Sequence, residues 1–398
     1  MATLIGTGIS TKLDSLAAGK EAALSAYHQI EKNNPSILII FISAIYIQHE
    51  AIKGVRSIIK DTPLIGCSSI GSISSYGSNQ NSVTVFIISS DSIKFFCGTG
   101  DKVSNNSRLA GSKAALKAFG SIKNRGIKQA YLMFSDGVSG NSADILRGAQ
   151  EVLGTYFPII GGGACNNLYG SKASQYADNE IHNDSVIGAI ISGNLVLGMG
   201  QSSCWQPIGK PHKVTKANSN IIKEIDKKAA VKIYEDYFEI SPQEITNDWI
   251  FKLGIRYPLG IRQTDENKNY ITRIPLMAGD NGSLALNADI KEDEDISLMI
   301  SDKDLILESA KNAAKEALSY IKDTKIKFAV MFSDISRLLL LRNDAYKEID
   351  IVKETIGKET PILGCYTLGE YGLFNATESA GSQYCFNNHS ISITLFSE

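Results

Sequence analysis

The residues that could do chemistry in this chain gather on turns that follow apolar runs. The segment PILGCYTLGE at 361–370 places Gly364, Cys365, Tyr366, Thr367 and Glu370 in one short stretch. Tyr366 and Thr367 offer hydroxyls there, and Glu370 could hold a ligand ammonium. The segment PIIGGGAC at 158–165 places Gly161 and Gly162 on a similar turn. Backbone N–H groups on such turns, beyond the carboxyl ends of strands, are a natural place for a ligand. Arg273, in the strand-like YITRIP at 270–275, carries the planar fork that suits a carboxylate. An anion clamp at one end and an acid at the other would make an amino-acid receptor. The competing reading is that these glycines serve tight packing and that Glu370 and Arg273 make structural ion pairs.

Other chemistries find less support. GGGAC is not G-x-G-x-x-G and no G-K-[ST] follows it, which argues against a phosphate loop. Cys67 and Cys365 each stand directly after a Pro-apolar-apolar-Gly phrase, yet no histidine base lies near either in sequence. A buried small hydrophobe is the better reading of both. The histidines at 28, 49, 182, 212 and 389 are scattered and show no H-x-x-x-H spacing. The six cysteines show neither a C-x-x-C pair nor a zinc spacing, as expected of reduced thiols in a cytoplasmic protein. The sequence therefore points to binding without catalysis, with no metal and no cofactor.

The elements that must position these residues repeat. A Ser-bounded apolar phrase occurs at 82–89 (SVTVFIIS), 185–192 (SVIGAIIS) and 390–397 (SISITLFS). Upstream of each stands PLIG at 63–66, PIIG at 158–161 or PILG at 361–364. Farther upstream lies an apolar run closing on serine: ILIIFIS at 37–43, AYLMFSD at 130–136 and FAVMFSD at 328–334. Three phrases in one order, three times, define three copies of one unit. Helical periodicity separates them: 14–30, with Leu16, Ala23, Tyr27 and Ile30 on one face, then 106–120, then 302–321 behind a capping Asp302. Near-continuous apolar strands imply sheets covered on both faces. The expected fold is α/β, with repeated mixed-sheet units, helices outside, a possible α-β-β-α layering, two lobes and a small β-rich insertion. The domain boundary is expected near 220, with two units in 1–220 and an insertion plus one unit in 221–398. The stretch 221–238 reads as an amphipathic helix, and Asn281-Gly282 as the turn of a hairpin.

These phrases, in this order, resemble the FIST family, its N-terminal part followed by its C-terminal part. PLIGCSSIGSI at 63–73, LMFSDGVSGN at 132–141, WQPIGKPHKVTKA at 205–217, YPLG at 257–260 and PILGCYTLGEYG at 361–372 carry the resemblance. Ser72 replaces the acid of the family's first segment, so only Glu370 retains it. Asp334 stands at the cysteine of the family's FSC…GR phrase, and Arg337 is kept. The resemblance implies a sensory module for small molecules such as amino acids, signalling through a separate kinase or chemoreceptor. It also implies an alternative, a haem-binding nitric-oxide sensor. Against that, Ser203-Cys204 stands where relatives often carry His-Gly. A ligand-free interaction scaffold is a further alternative, as is an enzyme using Cys365 or Glu370.

Composition narrows the partners. Forty Lys+Arg balance 42 Asp+Glu among 398 residues, a charge of −2 that argues against nucleic acid. The longest apolar run, ILIIFISAIYI, is too short to span a bilayer, and MATLIGTGISTKLDS lacks a signal-peptide pattern.

Overall fold

The computed structural model describes residues 3–122, 129–166, 172–241, 244–263, 270–322, 324–375 and 382–398. Residues 264–269, inside the polar stretch between YPLG and YITRIP, lie outside them. The fold is mixed α/β, and the three repeats are three copies of one unit. In each, a central strand runs parallel to the Pro-apolar-apolar-Gly strand: Ile37–Ile42 beside Leu64–Ser68, Gln129–Asp136 beside Ile159–Ala164, Ile326–Asp334 beside Ile362–Thr367. The Ser-bounded strands Val83–Ser89, Ser185–Ser192 and Ser390–Ser397 pair antiparallel to the other side of the central strand. An edge strand completes each sheet: Leu4–Ser10, Lys94–Asp101 or Val196–Ser203.

Register corrects one detail of the repeat. Phe41, Phe134 and Phe332 face Cys67, Gly162 and Cys365 across the parallel pairs. Ser43 is therefore equivalent to Asp136 and Asp334, one residue beyond Ser135 and Ser333.

The units exchange a hairpin around a ring. Strand Gly71–Ser74 of the first unit pairs with Ile362–Thr367 of the third. Strand Gln175–Ala177 of the second pairs with Leu64–Ser68 of the first. Strand Glu370–Asn375 of the third pairs with Ile159–Ala164 of the second. Inner faces of all three sheets meet in one apolar cluster that includes Phe41, Phe134 and Phe332. Phe134 packs edge-on to both others, at centroid distances of 5.6 and 5.8 Å.

Helices cover the outer faces as expected: Ser15–Gln29, Ser107–Gly120 and Lys303–Ser319, capped by Asp14, Asn106 and Asp302. The buried face of the first is Ala18, Ala22, Ala23 and Ala26, and only Ala23 and neighbouring Ile30 of the expected stripe are fully covered. A small-residue face wins because the helix backbone lies directly on glycines of the edge strand. A Cβ on Gly6 or Gly8 would sit 2.1 or 1.8 Å from a helix carbonyl oxygen.

The insertion lies between Val196–Ser203 and Lys303–Ser319, where the first unit has only residues 11–14. The third unit thus begins before residue 220, because its edge strand is Val196–Ser203. Residues 221–238 are not one helix: Ile221–Ile225 pairs with the long strand Gln206–Asn218, and only Lys232–Phe238 is helical. Asp226 and Lys227, both at positive φ, turn the chain tightly. The Asp226 carboxylate fixes that turn by accepting from the Lys213 amide at 2.9 Å. The hairpin at Asn281-Gly282 is present, joining Pro275–Ala278 to Leu284–Leu286.

Candidate functional site

At the third unit's strand ends, side chains are engaged with one another. A Cβ on Gly364 would lie 1.7 Å from the Met331 carbonyl oxygen, and one on Gly161 1.8 Å from that of Met133. A Cβ on Gly162 would meet the Thr367 methyl at 2.5 Å. Close backbone approach thus accounts for these glycines. Cys365 is fully buried, and burial with Cys67 beside it pushes its thiol well up. The Tyr366 hydroxyl donates to Ser78 Oγ at 3.0 Å.

Glu370 is equally closed. Thr367 Oγ1 donates to its Oε1 at 2.6 Å, and Ser390 Oγ to its Oε2 at 2.5 Å. Burial, then nearby Asp334, push this carboxyl well above its ordinary value. Glu370 is locked between two hydroxyls, and its burial disfavours the charge that would hold an ammonium. Beside it, Asp334 caps the helix Ile335–Leu341 and accepts from the Gly369 amide at 3.1 Å. Arg337 pairs with Glu348 at 2.6 Å, both without exposure, and also donates to Ser309 Oγ and the Ile306 carbonyl. Burial is the largest influence and opposes the Arg337 charge, but Glu348, Cys204 and Glu370 together outweigh it and hold the guanidinium above its ordinary value. This cluster is a satisfied buried network.

The crevice beyond the strand ends is filled. Phe251 and Ile255, on helix Asn247–Arg256 of the insertion, and Ile274 pack with Cys165, Leu368 and Ile70. Those last three follow the parallel strands of the second, third and first units. An apolar plug thus occupies the place where the sequence reading expects a ligand. His389, buried beneath, shares a 2.9 Å hydrogen bond between Nε2 and the Ile255 carbonyl.

Arg273 lies elsewhere, on the insertion strand Tyr270–Arg273, and is 6% exposed. Its Nε donates to the Asp289 carbonyl at 3.0 Å, and Nη1 to the Thr272 and Phe386 carbonyls at 3.1 Å each. Its Nη2 has no partner among the described residues. Burial pulls this guanidinium down, and Asp289 acts against that pull. Arg273 lines a cavity of about 360 Å³, within the range of small-ligand pockets.

Three parts of the chain wall this cavity. Helix Ser142–Leu153 brings Arg147, the third unit's hairpin brings Cys385, and the insertion brings Arg273, Asp289, Lys291 and Glu294. Arg147 pairs with Asp144 at 2.8 Å and Asp289 at 2.7 Å, tying the second unit to the insertion. Burial pushes the Cys385 thiol up to about 12, against the pull of Arg273. The structure therefore separates Glu370 from Arg273: one neighbours Asp334 and Arg337, the other Asp289, Glu294 and Arg147. Sequence reasoning missed Arg147, Asp289, Lys291 and Glu294. The charge run KEDED at 291–295 was the available signal, and it reads alone as a solvated loop.

Comparison with known proteins settles the family. The profile of the FIST N domain matches residues 36–228, and that of the FIST C domain matches 230–373. The chain belongs to the FIST family. FIST domains are sensory domains of signal transduction. The boundary between the two matches falls within the insertion. An uncharacterized protein, MJ1623, of Methanocaldococcus jannaschii is 26% identical over 302 residues, covering 70% of this chain and 57% of that protein. The chain thus spans little more than half the length of that relative. A cyanuric acid hydrolase structure described as an evolutionary innovation by structural concatenation aligns over 100% of both chains, at 8% identity and TM-score 0.35. That of a cyanuric acid hydrolase from A. caulinodans covers 48% of this chain and 70% of its own, at 9% identity and TM-score 0.26. At those scores the likeness carries no argument. No described helix is long and apolar enough to cross a membrane.

Proposed function

We propose that this FIST protein is a non-enzymatic sensory module that binds a small polar ligand, such as an amino acid, in the Arg273 cavity. The observation that carries the reading is a nearly buried guanidinium whose Nη2 has no partner among the described residues, in a walled cavity. Such a group is costly to desolvate and is well matched to a carboxylate. The candidate reactive groups support a non-catalytic role: burial raises the Cys365 thiol, which disfavours the thiolate, and raises the Glu370 carboxyl, which disfavours its charge.

Signalling follows from where the cavity lies. Its walls come from the second unit, the third unit's hairpin and the insertion, so a ligand bridging them favours one arrangement of the three. A separate cytoplasmic partner, a kinase or chemoreceptor, reads that arrangement.

The test is thermal stabilisation by a panel of amino acids and keto acids. Arg273→Ala should abolish the stabilisation while circular dichroism stays unchanged. Arg273→Lys, which keeps the charge and loses the fork, should weaken it. Stabilisation that survives in Arg273→Ala would remove Arg273 from the site. Failure of every compound to stabilise the protein would favour the scaffold.

A further inference from the structure

The charges in the Arg273 cavity name a narrower class of ligand. Arg147 is answered twice, by Asp144 and Asp289. Among the charged side chains lining the cavity, that leaves Arg273, Lys291 and Glu294. Arg273 donates only to backbone carbonyls. Lys291 bonds through its backbone amide, which donates to Glu294 Oε2 at 3.0 Å, while its Nζ has no partner among the described residues. Glu294 makes no ion pair among them, although its charge reaches Arg273. The lining side chains without a direct ion pair among the described residues are thus two cations and one anion.

From this inventory we infer that the ligand is an α-amino dicarboxylate, the class of glutamate and aspartate, resting on the proposal that the cavity is the ligand site. Its two carboxylates and one ammonium are the complement of two cations and one anion. Arg273, nearly buried and forked, takes one carboxylate bidentately. Lys291 is exposed and takes the other as a point charge at the mouth. Glu294 takes the ammonium. A neutral amino acid leaves Lys291 unanswered, and a basic one places a like charge against it. A dicarboxylate without an amine leaves Glu294 facing a carboxylate-rich ligand.

Calorimetric titration with L-glutamate, L-glutamine, L-lysine and glutarate, read beside melting temperatures, tests this. Glutamate should bind about tenfold more tightly than glutamine or glutarate at low ionic strength, and L-lysine most weakly of all. Salt should narrow the gap to glutamine, because Lys291 is solvent-screened. Lys291→Met should bring glutamate and glutamine to within about twofold, and Glu294→Gln should do the same for glutamate and glutarate. Lys291 is exposed, and a glutamine at 294 can still accept from the Lys291 amide, so the variants should keep the parent melting temperature without ligand. Glutamine binding as well as glutamate, with binding still lost in Arg273→Ala, would overturn the acidic class and leave the amino-acid site standing. No heat and no stabilisation from any of the four would overturn the cavity as an amino-acid site, and this inference with it.

Discussion

Glu370 is a carboxyl group whose charge the fold disfavours. Burial is the larger cause and Asp334 adds to it, so its folded value lies well above the 4.5 of a free glutamate. Between 4.5 and that raised value the folded state binds more protons than the unfolded state. This contribution therefore destabilises the protein progressively as pH rises through the window. Glu370→Gln keeps the shape and removes the titration. It should flatten the decline and be at least as stable at neutral pH, as measured by urea midpoints across pH 4 to 8. A parallel decline in both proteins would show that Glu370 is not its source. The expectation of an acid poised for an ammonium rested on residue type alone. Burial reverses it, because a carboxyl group out of water is held neutral more cheaply than charged.

At the scale of elements, backbone contact rather than side-chain size decides the packing. Each edge strand carries two glycines one residue apart, at 6 and 8, 98 and 100, 198 and 200. A Cβ on any of them would lie within 2.2 Å of a helix carbonyl oxygen. The G-x-G phrase and its alanine-rich helix, separated by the insertion in the third unit, are thus a fourth repeated signal, readable in the sequence but easily passed over. The same contact joins parallel strands at Gly364. Gly364→Ala should cost at least about 3 kcal/mol, since both atoms in the clash are fixed by the sheet. Gly120→Ala should have the opposite sign, a gain of about 0.5–1 kcal/mol, because that helical position faces open space. Denaturant titration of the pair checks both. A mild Gly364→Ala would mean that the parallel strands can part.

For the whole molecule, the hairpin exchange makes the three units interdependent, since each sheet borrows strands from a neighbour. The insertion then closes one end of the ring. Phe251, 2% exposed, is central to that plug and packs over Cys165, which is wholly buried. Phe251→Ala should remove about 3–5 kcal/mol from the docking of the insertion. The readout is local: Cys165 should become open to alkylation, and amides near Ile70 and Leu368 should exchange faster, while strand Ile37–Ile42 stays protected. Cys165 remaining inert would mean that other contacts hold the insertion down. Arg147 and Asp289 are the leading candidates, as they bridge the insertion to the second unit.

The sequence by itself determined the unit. Apolar runs, Pro-apolar-apolar-Gly phrases and Ser-bounded strands are local patterns, and local patterns suffice to set strands, helices and their order. Asp14, Asn106 and Asp302 likewise mark helix starts, because a cap acts within one turn. Arg273 was also legible as a charged, forked donor, since a guanidinium keeps its charge wherever it lies. Only the tertiary structure decided what Arg273 faces. Its neighbours Arg147 and Lys291 stand more than a hundred residues apart in the chain and meet through the docking of the insertion. Burial, which raises the Glu370 carboxyl and fills the strand-end crevice, is a property of the assembled ring. It depends on contacts between units, and no short stretch of sequence contains them.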